Sequence, residues 1–162
     1  MDVKISSIKN VQNELKYTDD ENVKIIIASS YERNIENIKE ENKLVLYFDD
    51  VTTAGRNSFN RNIAREINNF IKKLDFNKDK LYVCCDSGVS RSSAIAAAIL
   101  RKYNRNENLI WKDYTYQPNM LVYKTLCDEF NLSNNYIRLR HKKNINKKAL
   151  KKKIDESRKI SK

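Results

Sequence analysis

The sequence predicts one α/β domain with a central, mainly parallel sheet flanked by helices. Three observations lead there. Short β-branched or apolar runs at residues 23–28, 43–48 and 81–84 alternate with helix-compatible segments, the pattern of parallel strands joined by crossover helices. Phe59, Ile63, Ile67, Phe70 and Ile71 recur at spacings of three and four, which puts them on one helical face. The chain has 162 residues, enough to bury one core and too few to suggest two.

The elements follow in order. Residues 3–8 alternate loosely, as an edge strand would, and 10–16 suit a short helix. The run VKIIIA at 23–28 is β-branched and reads as a buried strand. Residues 31–42 are polar and helix-compatible. LVLYF then ends a second strand at Asp49-Asp50. Residues 51–57 form a loop around Gly55, and a helix with the Phe59–Ile71 apolar face follows, with Ser58 as its expected cap. Residues 75–80 turn the chain into the third strand. After it comes an Ala- and Ile-rich helix reaching Tyr103, then a polar connection over 104–117, in which Trp111 reads as a core or lid aromatic. Pro118-Asn119 opens a last helix with proline in its first turn, where the missing N–H costs nothing. Its apolar face is Leu121, Val122, Leu126 and Phe130.

Charge divides the chain unevenly. The net charge is +11, but residues 138–162 hold 12 Lys/Arg against 2 Asp/Glu, whereas residues 1–137 hold 20 against 19. The expected organisation is a nearly neutral domain at 1–137 and a basic tail at 138–162. The tail reads either as a solvated, partly helical or disordered extension, or as a contact for an anionic partner, RNA or a membrane surface. No run has the apolar length of a membrane span, and the N-terminus lacks a signal-peptide pattern. Three cysteines, two of them adjacent, make no disulfide framework, so the expected setting is the reducing cytoplasm. The one histidine, His141, sits among lysines and reads as a surface residue, which disfavours His-based zinc sites and Cys–His dyads.

The informative stretch is LYVCCDSGVSRSSAIAAAILRKY, residues 81–103. A strand, a tight loop holding one of the chain's two glycines, and a helix start together form an anion site, because backbone N–H groups converge there on the positive end of the helix dipole. Cys85 closes the strand, beneath those N–H groups, which stabilise a thiolate. Arg91 opens the helix, and its planar fork can hold two phosphate oxygens at once. The Ser92 hydroxyl can donate to the sulfur as it leaves. Asp86, Ser87, Gly88, Val89 and Ser90 supply the loop between them.

This Cys-x5-Arg-Ser motif resembles the signature of the cysteine-dependent protein tyrosine phosphatase superfamily. The resemblance is strongest to compact dual-specificity phosphatases of bacterial type, and it covers roughly residues 23–130. It implies a cysteinyl-phosphate intermediate, needing no metal or cofactor, and a general acid on a neighbouring loop. Phe48-Asp49-Asp50 is similar to a run in the phosphatases of regenerating liver whose second Asp is the acid, and Asp50 lies 35 residues before Cys85, close to the dual-specificity spacing. The resemblance therefore assigns the acid to Asp50. Asp49 is its neighbour, bonding loop backbone or raising its partner's pKa; the plain alternative for both is an Asx turn. Gln117-Pro118-Asn119 looks like the family's Pro-Asn element, with Asn119 as a hydrogen-bonder to the loop. The chain departs from the pattern at Cys84, where the superfamily has His; Cys84 reads as a small buried residue, or as half of a strained vicinal disulfide with Cys85.

The implied activity is dephosphorylation of phosphoproteins at tyrosine or at serine and threonine. An RNA 5′-triphosphatase, a phosphoinositide phosphatase and a catalytically inactive phosphoprotein-binding module are the alternatives.

Overall fold

The structure, a computed structural model, describes residues 2–17, 21–32, 35 and 38–160. Four parallel strands form one sheet in the order β1-β4-β2-β3: β1 (Asp2–Ser7), β2 (Val23–Ser29), β3 (Lys43–Tyr47) and β4 (Lys80–Cys85). Among the described residues, six α-helices accompany it: α1 (Ile8–Leu15), α2 (Arg61–Ile71), α3 (Arg91–Lys102), α4 (Asn108–Lys112), α5 (Met120–Glu129) and α6 (Tyr136–Ile160). The fold class is the expected one, with the sheet parallel throughout.

The two-residue period of the central strands builds a separate core on each face. Ile25, Ile27, Tyr82 and Cys84 meet Ile8, Val11 and Leu15 of α1 on one side. Ile26, Ala28, Leu81, Val83 and Cys85 meet α2, α3 and α5 on the other. Adjacent cysteines thus belong to different cores, and all three cysteines of the chain are free. Trp111 is a core aromatic, packed edge-on against Tyr123 at 5.0 Å between ring centres.

Three expectations need correction. The segment after β2 does not continue as a helix: residues 31, 32, 35, 38 and 39 are non-helical and only a 3-10 turn, Glu40–Asn42, precedes β3, while residues 33, 34, 36 and 37 lie outside the described residues. Ile35, 1% exposed, and the partly buried Ile38 join the α1-side core from this non-helical backbone. The cap of α2 is Asn60, whose side chain accepts from the N–H groups of Asn62 and Ile63; Ser58 instead donates to the Gly55 carbonyl at 2.8 Å and closes the loop. The stretch before α5 also differs: 104–117 carries the short helix α4, and Pro118 lies outside α5, just before its N-cap Asn119, not in its first turn.

The basic segment is one helix, and the boundary expected after residue 137 falls in its first turn. Its first half is docked. Lys142, 5% exposed, lies 3.0 Å from the Glu107 carboxylate and donates to Asn108 at 2.6 Å. Asn146 donates to the carbonyls of Tyr116, at 2.7 Å, and Trp111. Glu107 is itself buried and accepts from Tyr123 Oη and Trp111 Nε1, so α6 completes a polar network inside the domain. No helix among the described residues is long and apolar enough to cross a membrane.

Candidate active site

Cys85 ends the central strand β4, paired with Ser7 of β1 and Ala28 of β2, so its side chain emerges where the sheet's carboxyl edge is deepest. The loop 86–90 then turns into α3. Gly88 permits that turn in two ways. Its φ of +74° is left-handed, and an added Cβ would stand 2.7 Å from the Ser6 carbonyl carbon and the Ser7 nitrogen. The loop therefore lies against the end of β1, and any side chain here would collide with backbone.

The Cys85 sulfur is 1% exposed and lies 3.2 Å from Ser92 Oγ. Burial alone would raise its pKa. The Ser92 hydroxyl, the N–H groups of Ser92 and Gly88, and the Arg91 charge outweigh burial and hold the thiol below its ordinary value. Cys84 shows the opposite case. Burial pushes its thiol far up, and its sulfur only touches the Ile26 carbonyl oxygen, at 3.5 Å.

Arg91 is 5% exposed and its fork is fixed on both tips. Nη1 donates to the Phe48 carbonyl at 2.9 Å and to Ser30 Oγ at 3.1 Å, and Nη2 is paired with Asp86. Asp86 in turn accepts from Ser29 Oγ at 3.1 Å. Nε of Arg91 is buried and has no hydrogen-bond partner among the described residues.

Asp50 stands over the same loop. Its Oδ1 accepts from Ser90 Oγ at 2.9 Å and from Asn119 Nδ2 at 2.7 Å. Asn119 is buried and joins three parts. Its N–H donates to the Ser90 carbonyl, its Oδ1 caps α5 through the N–H groups of Leu121 and Val122, and its Nδ2 also reaches the Val51 carbonyl. Asp49 is engaged through its backbone: its N–H donates to the Asn57 carbonyl at 2.8 Å, and its carbonyl accepts from Val51. Chemically, the arrangement offers a polarised thiol, a ring of N–H donors, a fixed guanidinium and an exposed carboxylate above them.

Among solved structures, the chain is similar to the Cydia pomonella PTP-2 phosphatase, with a TM-score of 0.57 and 14% identity over 78% of this chain and 84% of that one. The chain has the fold of the protein tyrosine phosphatases. A looser likeness, TM-score 0.45 at 18% identity, extends to PTPMT1, alone (95% of each chain) and in complex with PI(5)P (93% of this chain, 94% of that one). No family model matches the sequence, and no curated protein matches it significantly.

Within this phosphatase fold, Cys85, the loop 86–90, Arg91, Ser92, Asp50 and Asn119 come together at one sheet edge. Asp49 adjoins them through its main chain. Two further participants escaped the sequence reading, Ser29 and Ser30, whose hydroxyls hold Asp86 and Arg91. The available signal was a pair of serines ending an apolar strand, at the edge where ligands of parallel sheets bind. Asp86, expected as one residue of the phosphate-binding loop, also forms an ion pair with Arg91, five residues on.

Proposed function

We propose that the protein is a phosphoprotein phosphatase of tyrosine or dual specificity, acting on phosphomonoesters through a cysteinyl-phosphate. The observation that carries this reading is the buried Arg91 with its unpartnered Nε, set in one loop with a thiol held below its ordinary pKa. A phosphoryl group bound there would meet the guanidinium and the loop N–H groups, which stabilise charge on its equatorial oxygens.

The reaction runs in two steps. Cys85 thiolate attacks phosphorus, the S–P bond forms as the P–O ester bond breaks, and Asp50 gives its proton to the leaving oxygen. Asp50, now a carboxylate, takes a proton from water as that water attacks phosphorus. The S–P bond breaks, and the Ser92 hydroxyl donates to the departing sulfur. Ser90 and Asn119 hold Asp50 in place for both proton transfers. Thiolate chemistry of this kind suits the reducing cytoplasm.

The test is a panel of phosphotyrosine, phosphoserine and phosphothreonine peptides, an RNA 5′-triphosphate and phosphoinositides, assayed side by side with chelator present. The expected result is hydrolysis of the peptides, abolished in Cys85→Ser. Turnover confined to the RNA or the lipid would replace the substrate class, and binding without turnover of any of them would indicate a phosphoprotein-binding module.

A further inference from the structure

The two faces of α6 meet different surroundings. Leu139, Lys142, Ile145, Ala149 and Lys153 follow one another at spacings of three and four, with Asn146 beside Ile145, and share the face turned to the domain, where Leu139 and Ile145 pack against the core. Lys142 and Asn146 make the contacts given above, and the Lys153 ammonium sits 5.2 Å from the centre of the Tyr114 ring. The opposite face carries Lys147, Lys148, Lys151, Lys152, Arg158 and Lys159, all exposed. At the 3.6-residue period these six fall within an arc of about 140°, with Asp155 in their midst. Residues 147–159 hold 7 Lys/Arg against 2 Asp/Glu.

The helix also has a direction. α3 and α5 both begin at the loop that holds Cys85 and run away from it. α6 begins near their far end, where Arg101 donates to the Ser133 carbonyl just before it, and returns. At Asn146 it is level with the loop again: the Tyr116 carbonyl that Asn146 binds precedes Gln117, whose N–H donates to the Val89 carbonyl at 3.1 Å. The helix continues for another 14 residues, about 20 Å along its axis, passing Tyr114 at Lys153, and residues 151–159 are exposed throughout.

We infer that the outer face of residues 147–159 is a docking arm for single-stranded nucleic acid, gripped through its phosphates. Cations occupy this face in three of its four turns, at 147/148, 151/152 and 158/159, with Asp155 in the turn between, an extended array that suits a polyanion of many phosphates rather than one phosphate group. A helix that lies on a membrane pairs its basic face with a broad apolar one, usually with aromatic residues. Here residues 147–160 contain no aromatic side chain, and among residues 147–159 Ile154, at 44%, is the exposed large apolar one. Contact through phosphates predicts sequence-independent, salt-sensitive binding. This inference does not rest on chemistry at Cys85.

The experiment uses the full chain and a fluorescent 20-nucleotide single-stranded RNA, with anisotropy read across salt concentrations. Six phosphate contacts predict a slope of log affinity against log salt of about −4. Replacing Lys148, Lys151, Lys152 and Lys159 by Gln should weaken binding at low salt at least about tenfold and reduce that slope by about 3. It should leave the melting temperature and aryl phosphate hydrolysis unchanged. Cys85→Ser should bind the RNA as wild type does, so a failure of the phosphatase reading is distinguishable. A Gln variant within twofold of wild type would overturn the inference, and so would binding to anionic phosphatidylserine vesicles with none to RNA.

Discussion

Asn119 Nδ2 donates to Asp50 Oδ1 at 2.7 Å, a bond between residues 69 apart in the chain. The same side chain caps α5, so one asparagine fixes both the helix and the carboxylate over the Cys85 loop. Asn119→Ala should lose about 1 kcal/mol through the cap, lowering the melting temperature by roughly 3 °C. It should also slow hydrolysis of a phosphotyrosine peptide far more than that of an aryl phosphate with a very acidic leaving phenol. An equal loss on both substrates would mean that Asn119 acts on the loop and not through Asp50.

Asp50 and Asp49 should separate cleanly. Asp50 faces the loop through Ser90 and Asn119, whereas Asp49 is held by its backbone. Asp50→Asn should slow phosphotyrosine peptide hydrolysis by about a hundredfold and barely affect a substrate with a very acidic leaving phenol. Asp49→Asn should leave the peptide rate nearly unchanged. The reverse pattern would transfer the acid role to Asp49.

Thiol reactivity should follow the opposite environments of the cysteines. The Cys85 pKa is lowered, so its thiolate persists below the ordinary thiol value of about 8.5. Cys84 is raised by burial, and Cys127 is pushed up to about 11 by the same cause. Iodoacetate at neutral pH should therefore modify Cys85 alone, as read by peptide mass spectrometry. Because the Ser92 hydroxyl favours the thiolate, Ser92→Ala should move the reaction's pH midpoint upward. Turnover should vanish in Cys85→Ser and survive in Cys84→Ser. Modification of Cys84 first would contradict the assignment.

Arg91→Lys tests geometry against charge. The guanidinium is held by Asp86, Ser30 and the Phe48 carbonyl. A lysine keeps the positive charge but cannot reproduce those bonds and still present a donor to phosphate. kcat/KM should fall by about a thousandfold. Near-normal turnover would show that phosphate binds elsewhere.

Removing the docked half of α6 should be costly, although the far half is not expected to matter for folding. Lys142→Met leaves the buried Glu107 with the longer Arg101 contact, at 3.9 Å, in place of its 3.0 Å ionic partner. The cost should be about 3 kcal/mol, or roughly 10 °C in melting temperature. Truncation after residue 148 should change the melting temperature little. If both variants melt alike, the network around Glu107 does not anchor the helix.

The strands were legible because their signal is local. Residues 23–28 and 81–84 are β-branched or apolar at every position but Lys24, as strands covered on both faces are, and the runs are too short for a helix. The loop 85–92 was legible for a related reason: strand, glycine, arginine and helix are contiguous, so their spacing alone brings sulfur, N–H groups and guanidinium together. Asn119 and Asp50 were each recognisable, but the bond between them was not. The 3-10 turn before β3 and the capping of α2 by Asn60 in place of Ser58 were likewise invisible, since each depends on what the segment packs against. Composition alone marked residues 138–162 as a separate basic tail. Only the fold revealed that Lys142 and Asn146 belong to the domain, because a lysine is buried when a carboxylate from a distant turn, here Glu107, is already waiting inside. Ser29 and Ser30 make the same point at the site: β2 lies beside β4 in the sheet, and that adjacency, absent from the linear order, sets their hydroxyls against Asp86 and Arg91.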